Sequence, residues 1–322
     1  MTDMRAARYD RYGPPEVLYE GRVPIPTVKP GHILVRVQAN SVNGGELAAR
    51  AGQLRMLTGR RFPRGIGMDF VGEVADAGAA AGVRAGDQVW GLLPRSSEVG
   101  GNAGAAAEYV AVDPGRVSRS PGNFTPVEAV SIMGATTSIT GLRDKVRLKP
   151  GERLLVRGAS GGAGSLAVQI GKVLGAHVTG LAGPKNLDFV RDLGADEAFS
   201  YTTTGPSDLG TFDVVLDTVG TDLPAYRRLL APGGRMVGLT FDRNHIPRSL
   251  AYILTSSVHG SRRVRFFSGN PERALFTELT DLAESGKLRP VVDTVHSLAD
   301  IAAAHRALES GGVRGKHVVK ID

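Results

Sequence analysis

The chain has 322 residues, of which 42% are hydrophobic, and this is enough to bury a core in one or two domains and to exclude general disorder. Cysteine is absent, which excludes disulfides, thiolate chemistry and zinc sites that use sulfur. The net charge of +7 is scattered and not interleaved with aromatic residues, so we expect no nucleic-acid partner. No apolar run reaches the roughly 18 residues that span a bilayer, and the first residues are charged. We therefore expect a cytoplasmic protein with no membrane partner.

The apolar segments before residue 115 have the length and composition of β-strands. Turn signals such as Pro30-Gly31 and Gly86-Asp87 separate them. The predicted strands are residues 33–37, 70–74, 88–90 and 109–112. Short strands with short connections predict a compact, barrel-like β unit.

A different pattern begins after Pro126, where segments of helical periodicity alternate with buried strands. The predicted helices are 126–146, 166–174, 186–193 and 225–230, and the predicted strands are 153–157, 177–181, 198–200, 212–216 and 235–239. Alternation of this kind predicts a parallel, doubly wound sheet and hence an α/β protein. The tail adds predicted helices 271–286 and 298–310 and predicted strands 291–292 and 317–321.

A glycine-rich segment lies between the strand 153–157 and the amphipathic helix that follows. It has the pattern A-x-G-x-x-G, formed by Ala159, Gly161 and Gly164. In this pattern the first position allows a tight turn, the second lets the backbone approach a pyrophosphate, and the third lets helix and strand pack closely. The predicted dinucleotide-binding residues are Ser160, Gly161, Gly162, Ala163 and Gly164. A glycine-rich turn without a ligand is the alternative interpretation.

The end of the next strand indicates which cofactor is preferred. Enzymes that use NAD place an acidic residue there to bind the ribose hydroxyls, and such an acid would repel the 2′-phosphate of NADP. This chain has Gly183-Pro184-Lys185 at that position, and the first acid after it is Asp188. We therefore predict NADPH as cofactor, with Lys185 on its 2′-phosphate. A solvated lysine in the first turn of a helix is the alternative.

Several stretches together resemble the zinc-independent quinone oxidoreductases of the medium-chain dehydrogenase/reductase superfamily. They are residues 65–74, 147–151, the glycine loop with 167–169, 193–196, 213–220 and 314–316. The resemblance implies a GroES-like β-barrel catalytic domain built from residues 1–126 and 261–322, and a Rossmann NADPH-binding domain of residues 127–260. It also implies an active site in the cleft between the two domains.

Zinc alcohol dehydrogenases of the same superfamily carry a catalytic cysteine and a Gly-His-Glu stretch. This chain has Gly67-Met68-Asp69 at the matching place, and its histidines do not show a metal-binding helical spacing. Without a Lewis acid, the substrate must accept a hydride unaided. We therefore expect no metal and an NADPH-dependent reduction of a quinone. The alternatives are an enone or enoyl substrate and a non-enzymatic NADPH-binding protein.

The resemblance implies that Asn43 is the active-site asparagine, within the segment Asn43-Gly44-Gly45-Glu46. Gly44 and Glu46 depart from the residues that relatives more often have. Some relatives have a proton-donating tyrosine five residues after the asparagine, where this chain has Ala48, so we expect the proton to come from solvent. From the residues alone, Asn43 could equally be a turn asparagine that bonds its own backbone.

Further cofactor contacts follow from the same resemblance. It implies a threonine near the nicotinamide, a 2′-phosphate pair, and a backbone stretch beside the nicotinamide, and the matching residues are Thr137, Lys185 with Tyr201, and Phe266 with Phe267. Alternatively, Thr137 is an ordinary helix residue and Tyr201 an aromatic at a strand end that packs beneath the adenine.

The resemblance also implies a homodimer that pairs through an edge of the Rossmann sheet. The candidate edge is 249–259, whose apolar residues are Leu250, Ile253, Leu254 and Val258. Closed two-fold pairing would cover the backbone of an exposed strand there. The spacing of these residues fits a buried helix as well.

Overall fold

The structure is a computed structural model and describes residues 3–55, 61–78, 82–94, 104–242, 245, 251–256, 263–267 and 269–321. These residues form two compact units. The first unit contains Met1–Met133, Asn270–Gly311 and Lys316–Asp322, and the second contains Gly134–Gly269 and Gly312–Gly315. The predicted domain ranges 1–126, 127–260 and 261–322 have other bounds, and local packing features explain two of the differences.

The first feature is the helix Pro126–Ser131, which packs on strands of the first unit. The Ser131 hydroxyl accepts a hydrogen bond of 3.1 Å from the Val291 N–H in the same unit. The second feature is the segment Gly312–Gly315 in the tail. The Gly315 N–H donates to the Ser160 carbonyl at 2.7 Å, so this segment belongs to the second unit.

The strands of the described residues are numbered in chain order. They are β1 (Asp3–Tyr9), β2 (Leu18–Pro24), β3 (Ile33–Ser41), β4 (Arg64–Gly65), β5 (Asp69–Asp76), β6 (Gln88–Leu92), β7 (Tyr109–Val112), β8 (Val117–Arg119), β9 (Arg153–Arg157), β10 (His177–Ala182), β11 (Glu197–Ser200), β12 (Phe212–Asp217), β13 (Leu230–Gly238), β14 (Val264–Phe266), β15 (Val292–Ser297) and β16 (Lys316–Lys320).

The α-helices are numbered in the same way. They are α1 (Gly44–Arg50), α2 (Pro126–Ser131), α3 (Ala135–Ile139), α4 (Gly164–Val173), α5 (Leu187–Asp192), α6 (Leu223–Arg228), α7 (Arg273–Glu284) and α8 (Ile301–Ser310). Short 3₁₀ turns occur at Pro15–Val17, Pro114–Arg116, Ile132–Gly134, Pro184–Asn186, Pro206–Asp208 and Leu298–Asp300, and Thr140–Lys145 forms a π-helix.

The first unit is built on a mixed sheet, in the part of the chain where the sequence predicts a β unit. Its strand order is β15-β16-β3-β5-β6-β8, and β7 also pairs with β3. β15 and β16 run parallel, whereas the pairs that β3 makes with β5, β7 and β16 are antiparallel. A second sheet, β2-β1-β4, shares a hydrophobic core with the first. The pairing of β16 with β3 brings a strand from the last residues of the chain into the same sheet as strands from its first part.

The second unit is the predicted parallel sheet. Its six strands have the order β11-β10-β9-β12-β13-β14, and every neighbouring pair is parallel. This order, counted from the first strand of the unit, is 3-2-1-4-5-6, which is the order of doubly wound dinucleotide-binding folds. Leu154, Leu155 and Val156 of β9 are completely buried, as expected for a strand covered on both faces. The α/β prediction is therefore confirmed.

The predicted continuous helix 126–146 is wrong in one respect, because the run is divided into α2, a 3₁₀ turn, α3 and the π-helix Thr140–Lys145. Gly134 and the threonines that follow it have low helix propensity. A Cβ at Gly134 would lie 2.9 Å from the Gly162 carbonyl oxygen, so this position lets the helical run approach the glycine loop.

The segment proposed as a dimer edge is not a strand where the structure describes it. Residues 251–256 are helical, as the alternative interpretation had it, whereas Leu250 and Val258 lie outside the described residues. Ile253 is buried in the core of the second unit, and Leu254 is 69% exposed. In the described part of the chain, no helix combines the length and the apolar character needed to cross a membrane.

Candidate functional site

The glycine loop connects β9 to α4 in the second unit. Gly158 has a φ of +76°, which an L side chain rarely adopts, and a Cβ at Gly164 would lie only 2.0 Å from the Gly158 carbonyl oxygen. Gly161 is different, because a Cβ there would meet only the Gly158 oxygen, at 3.6 Å. Gly164 is thus required by packing within the chain, whereas Gly161 leaves a bare backbone surface near the start of α4. Such a surface fits a phosphate group.

Neighbouring segments hold the loop residues in position. Gly161 and Gly315 form an isolated parallel bridge, and Ser138 Oγ donates to the Ala163 carbonyl at 2.9 Å. Ser160 is buried, and its hydroxyl accepts a hydrogen bond of 3.2 Å from the Asn186 amide. The loop is therefore fixed by its surroundings before any ligand binds, which favours binding because little conformational entropy remains to be lost.

The residues predicted to bind the 2′-phosphate follow the C-terminal ends of β10 and β11. The glycine loop lies at the same end of these parallel strands, after β9. Lys185 is exposed in the 3₁₀ turn after β10, and Tyr201 is 58% exposed directly after β11. A Cβ at Gly183 would lie 3.3 Å from the Tyr201 hydroxyl oxygen. Glycine at this position thus allows the tyrosine to lie over the strand end, beside the turn that contains Lys185.

Arg314 is a second cation at this turn. Its Nε donates to the Asn186 Oδ1 at 2.7 Å, and its Nη2 donates to the Lys185 carbonyl oxygen. The Asn186 amide in turn donates to Ser160 Oγ and to the Gly312 carbonyl. Asn186 therefore connects the turn to the glycine loop.

A buried ion pair lies at the ends of β9 and β12, which are neighbours in the sheet. Arg157 Nη1 is 3.3 Å from Asp217 Oδ1, and its Nη2 donates to Thr221 Oγ1 at 2.8 Å. The guanidinium carbon lies 3.9 Å from the centre of the Tyr226 ring. Burial raises the pKa of Asp217, against the opposite effect of Arg157. Asp217, Thr221 and Tyr226 all contact the Arg157 guanidinium. We therefore assign Arg157 a structural role at the ends of β9 and β12 and not a role in binding a phosphate.

The remaining predicted cofactor residues occupy other parts of the second unit. Thr137 is half-buried on α3, next to Ser138, which contacts the loop. Phe266 ends β14, three strands away from β9, and its ring stacks on Phe241 at 4.1 Å. Phe267 follows it and lies beside Gly141 and the ammonium of Lys145. The contacts of Thr137, Phe266 and Phe267 with a nicotinamide remain predictions.

Asn43 is half-buried in the first unit, in a group of otherwise buried polar side chains that we call the Asn43 cluster. It consists of Ser41, Asn43, Glu46, Asp69 and Lys316, which come from β3, the start of α1, β5 and β16. Lys316 Nζ donates to Asn43 Oδ1. An ammonium group can only donate, so the amide oxygen faces Lys316 and the amide nitrogen faces the carboxylates.

The two carboxyl groups of the cluster have different surroundings. Asp69 Oδ1 accepts hydrogen bonds from the Ser41 N–H at 2.8 Å and the Asn40 amide at 3.1 Å. Its Oδ2 accepts from Ser41 Oγ at 2.6 Å and the Asn43 amide at 3.0 Å, and Lys316 Nζ lies 3.9 Å away. Asp69 is therefore surrounded by donors.

The Glu46 side chain is buried, and its Oε1 accepts a hydrogen bond of 3.0 Å from the Asn43 amide. Burial, followed by the negative charge of Asp69, raises the pKa of Glu46 to about 8. Hydrogen bonds from Asn43 and the charge of Lys316 act in the opposite direction. Glu46 is thus an acid that holds its proton near neutral pH.

Sequence reasoning singled out Asn43 but missed the cluster around it. Lys316 was noted only as part of a family-like stretch, and Asp69 only there and at the place of the Gly-His-Glu stretch of zinc enzymes. A charged residue opening an apolar strand, as Lys316 does, is a signal that could have been used. Arg157 gives a similar signal, since it ends the otherwise apolar run of β9. Within the described residues, no group of three or more His, Asp or Glu residues could hold a metal ion.

Comparisons with known proteins agree with this architecture. A family model described as "Alcohol dehydrogenase GroES-like domain" matches residues 29–122, and one described as "Zinc-binding dehydrogenase" matches residues 193–319. The chain is 32% identical to "NAD(P)H oxidoreductase RTN4IP1, mitochondrial" of Danio rerio, covering 99% of this chain and 92% of the relative. It is also 32% identical to "2-methylene-furan-3-one reductase" of Solanum lycopersicum, covering 99% and 79% respectively.

A solved structure with a similar fold is that of the quinone oxidoreductase from Coxiella burnetii. The TM-score is 0.89 at 27% identity, and the match covers 99% of this chain and 100% of that one. The glycine loop on a parallel sheet, together with these matches, defines an oxidoreductase that uses a nicotinamide cofactor. The chain belongs to the medium-chain dehydrogenase/reductase superfamily.

Proposed function

We propose that this oxidoreductase transfers a hydride from NADPH to a quinone and that it needs no zinc. The observation that carries the choice of substrate is Ala48, which stands where some relatives have a proton-donating tyrosine. Reduction of an enone requires a proton on carbon, whereas a hydroquinone anion takes its proton from water. A chain without that tyrosine therefore suits quinones better.

Support for NADPH comes from the edge of the sheet beside the glycine loop. Lys185 and Arg314 meet in the turn after β10, and no carboxylate lies between the end of β10 and that turn. Two cations attract a 2′-phosphate, and the missing acid leaves the ribose hydroxyls of NADH without their usual partner. The bare backbone at Gly161 is suited to the pyrophosphate.

A bound nicotinamide dinucleotide supplies the hydride, and the residues of this chain bind and orient it. In the proposed reaction Lys185 and Tyr201 fix the adenosine end, while the glycine loop fixes the pyrophosphate. The cysteine-free sequence supports a reaction without zinc. The predicted cytoplasmic location remains untested, and the Danio rerio relative is named as a mitochondrial protein.

An enone or alkenal substrate is the second candidate. It is favoured by the relative from Solanum lycopersicum, whose name describes the reduction of a methylene-furanone. We therefore propose that the natural substrate is an electron-poor conjugated carbonyl compound, and that quinones are preferred over enones.

A panel of 1,4-quinones and open-chain enones tests the proposal. The chelator-treated protein is mixed with NADPH and each compound, and oxidation is followed at the nicotinamide absorbance. We expect the largest kcat/KM with quinones, unchanged by added zinc. Larger values with enones would favour the second candidate, and inactivity on the whole panel with intact NADPH binding would favour a non-enzymatic role.

A further inference from the structure

The Asn43 amide nitrogen is shared among more acceptors than it can serve. It lies 3.0 Å from each of three oxygens: the Ser41 carbonyl, Glu46 Oε1 and Asp69 Oδ2. An amide nitrogen carries two protons, so these three oxygens compete for them. The charge on the two carboxyl groups therefore decides which of the three oxygens receive the two amide protons.

The charge of the cluster is set within the cluster itself. Its titratable groups are Glu46 from α1, Asp69 from β5 and Lys316 from β16. One turn further along α1, Arg50 forms an ion pair with Glu309 of α8. His305 of α8 is completely buried, and burial followed by the charge of Arg50 lowers its pKa to about 3, so it is neutral.

His317 follows Lys316 on β16 and points to the opposite face of the strand. Burial lowers its pKa, and so it adds no charge near neutral pH. With Glu46 protonated, the negative charge of Asp69 balances the positive charge of Lys316. With Glu46 ionised, the cluster has a net charge of −1 inside the protein.

The proton of the two carboxyl groups belongs on Glu46. Asp69 accepts hydrogen bonds from four donors, which compensate its negative charge. Glu46 Oε1 accepts from the Asn43 side-chain amide, and burial disfavours the charged form of this carboxyl group. Ionisation of Glu46 would attract the Lys316 ammonium toward the carboxylates and away from Asn43 Oδ1.

We propose that Glu46 is a positioning residue for Asn43: loss of its proton makes its carboxyl group a stronger acceptor, which draws the Asn43 amide nitrogen and the Lys316 ammonium toward the carboxylates and weakens the contact between Lys316 and Asn43 Oδ1. The consequence for turnover rests on the proposed function, whereas the orientation itself does not. An active-site asparagine that changes orientation with one proton makes the reaction depend on pH. We assign the fall in activity to the alkaline side, because a net negative cluster disfavours an anionic product.

The direct test measures the Asn43 side-chain amide by NMR in protein labelled with ¹⁵N-asparagine, assigned by comparison with Asn43→Asp. We expect its chemical shift to titrate with a midpoint near pH 8 in the wild type. Glu46→Gln should abolish this titration. The control Glu108→Gln, which removes an acid paired with Arg5 in the same unit, should leave it unchanged. An unchanged titration in Glu46→Gln, or a flat wild-type curve, would overturn the proposal.

A second variant keeps the test decisive if Glu46→Gln does not fold. Lys316→Met removes the positive charge that lowers the pKa of Glu46, so the Asn43 midpoint should move to higher pH. A midpoint that stays in place or falls would contradict the assignment. Circular dichroism confirms that each variant is folded.

The pH dependence of turnover tests the part of the proposal that rests on the proposed function. With a quinone and NADPH, wild-type kcat/KM should fall about tenfold between roughly pH 7 and pH 9, and Glu46→Gln should show no break in this range. Absence of turnover on every substrate defeats the proposed function and leaves the NMR result to decide on Glu46. Turnover with a flat NMR titration defeats the positioning role alone.

Discussion

Lys185 is the residue on which the preference for NADPH depends. Lys185→Ala should weaken NADPH binding by about 1.5 to 3 kcal/mol, because a charge-assisted contact to the 2′-phosphate is lost. Binding of NADH, which has no 2′-phosphate, should change little. Fluorescence titration with both cofactors measures these affinities.

Lys172→Ala provides the matched control, since Lys172 is another exposed lysine of the second unit and is paired with Asp196. This variant should bind both cofactors as the wild type does. Equal wild-type affinities for NADPH and NADH would contradict the assignment of Lys185.

Glu46 should make the stability of the protein depend on pH. Its pKa is raised from the model-compound value of 4.5 to about 8, so the folded state holds a proton that the unfolded state has lost. The free energy of unfolding should therefore fall as pH rises between these values and level off above the upper one. The total fall is on the order of 5 kcal/mol.

Urea denaturation at several pH values measures this dependence. Glu46→Gln should be flatter than the wild type over the same range, and Glu108→Gln should keep the wild-type fall. Parallel curves for Glu46→Gln and the wild type would mean that Glu46 is ionised in the folded protein throughout.

The positions of candidate site residues were predictable where a local pattern identifies them, whereas their roles stay predictions. The glycine loop and Lys185 stand in fixed positions relative to consecutive strands, and the structure brings them to one edge of the sheet. Lys316 was not recognised, because it reaches Asn43 only through the pairing of β16 with β3, in which Val318 lies opposite Ser41. The charge at the start of β16 is a local signal that marks Lys316, but a single sequence does not show which strand β16 pairs with.

Two substitutions in the glycine loop separate its role in stability from its role in cofactor binding. Gly161→Ala should leave the free energy of unfolding within about 0.5 kcal/mol, because the added Cβ meets only one atom, at ordinary contact distance. It should nevertheless weaken NADPH binding at least about tenfold, because a methyl group covers the backbone that approaches the pyrophosphate.

Gly164→Ala should behave in the opposite way. Its Cβ would lie 2.0 Å from a backbone oxygen, so α4 must move away from β9, at a cost of about 1 to 3 kcal/mol. Thermal denaturation and fluorescence titration of both variants separate the two effects. A stable Gly164→Ala or a tightly binding Gly161→Ala would refute this division of roles.

Elements of the second unit were the easier ones to predict from sequence. Buried strands such as β9 and β12 are short, continuous apolar runs between clear turn signals, and their predicted positions are close to the observed ones. The segment 249–259 was ambiguous, because apolar residues at such spacing satisfy a helix and a buried strand equally. β1 and β2 were not predicted, and several charged residues interrupt their apolar pattern.

At the scale of the whole molecule, the homodimer remains a prediction. Light scattering at micromolar concentration should give a mass of about 68 kDa, twice the 33.8 kDa of one chain. Leu254→Glu is the suitable probe, because Leu254 is exposed, whereas its neighbour Ile253 belongs to the core of the second unit. A mass near that of one chain would reject the dimer. A dimer that Leu254→Glu leaves intact would assign the interface to another surface.

The proposed reaction is a direct hydride transfer from NADPH to a quinone. The most direct measurement is a single-turnover experiment in which metal-free protein, loaded with NADPH deuterated at the transferred position, is mixed rapidly with a 1,4-quinone. We expect the nicotinamide absorbance to decay on mixing, and to decay more slowly with the deuterated than with the unlabelled cofactor. Absence of decay in the metal-free protein, or equal rates with both cofactors when chemistry is made limiting, would contradict the proposed reaction.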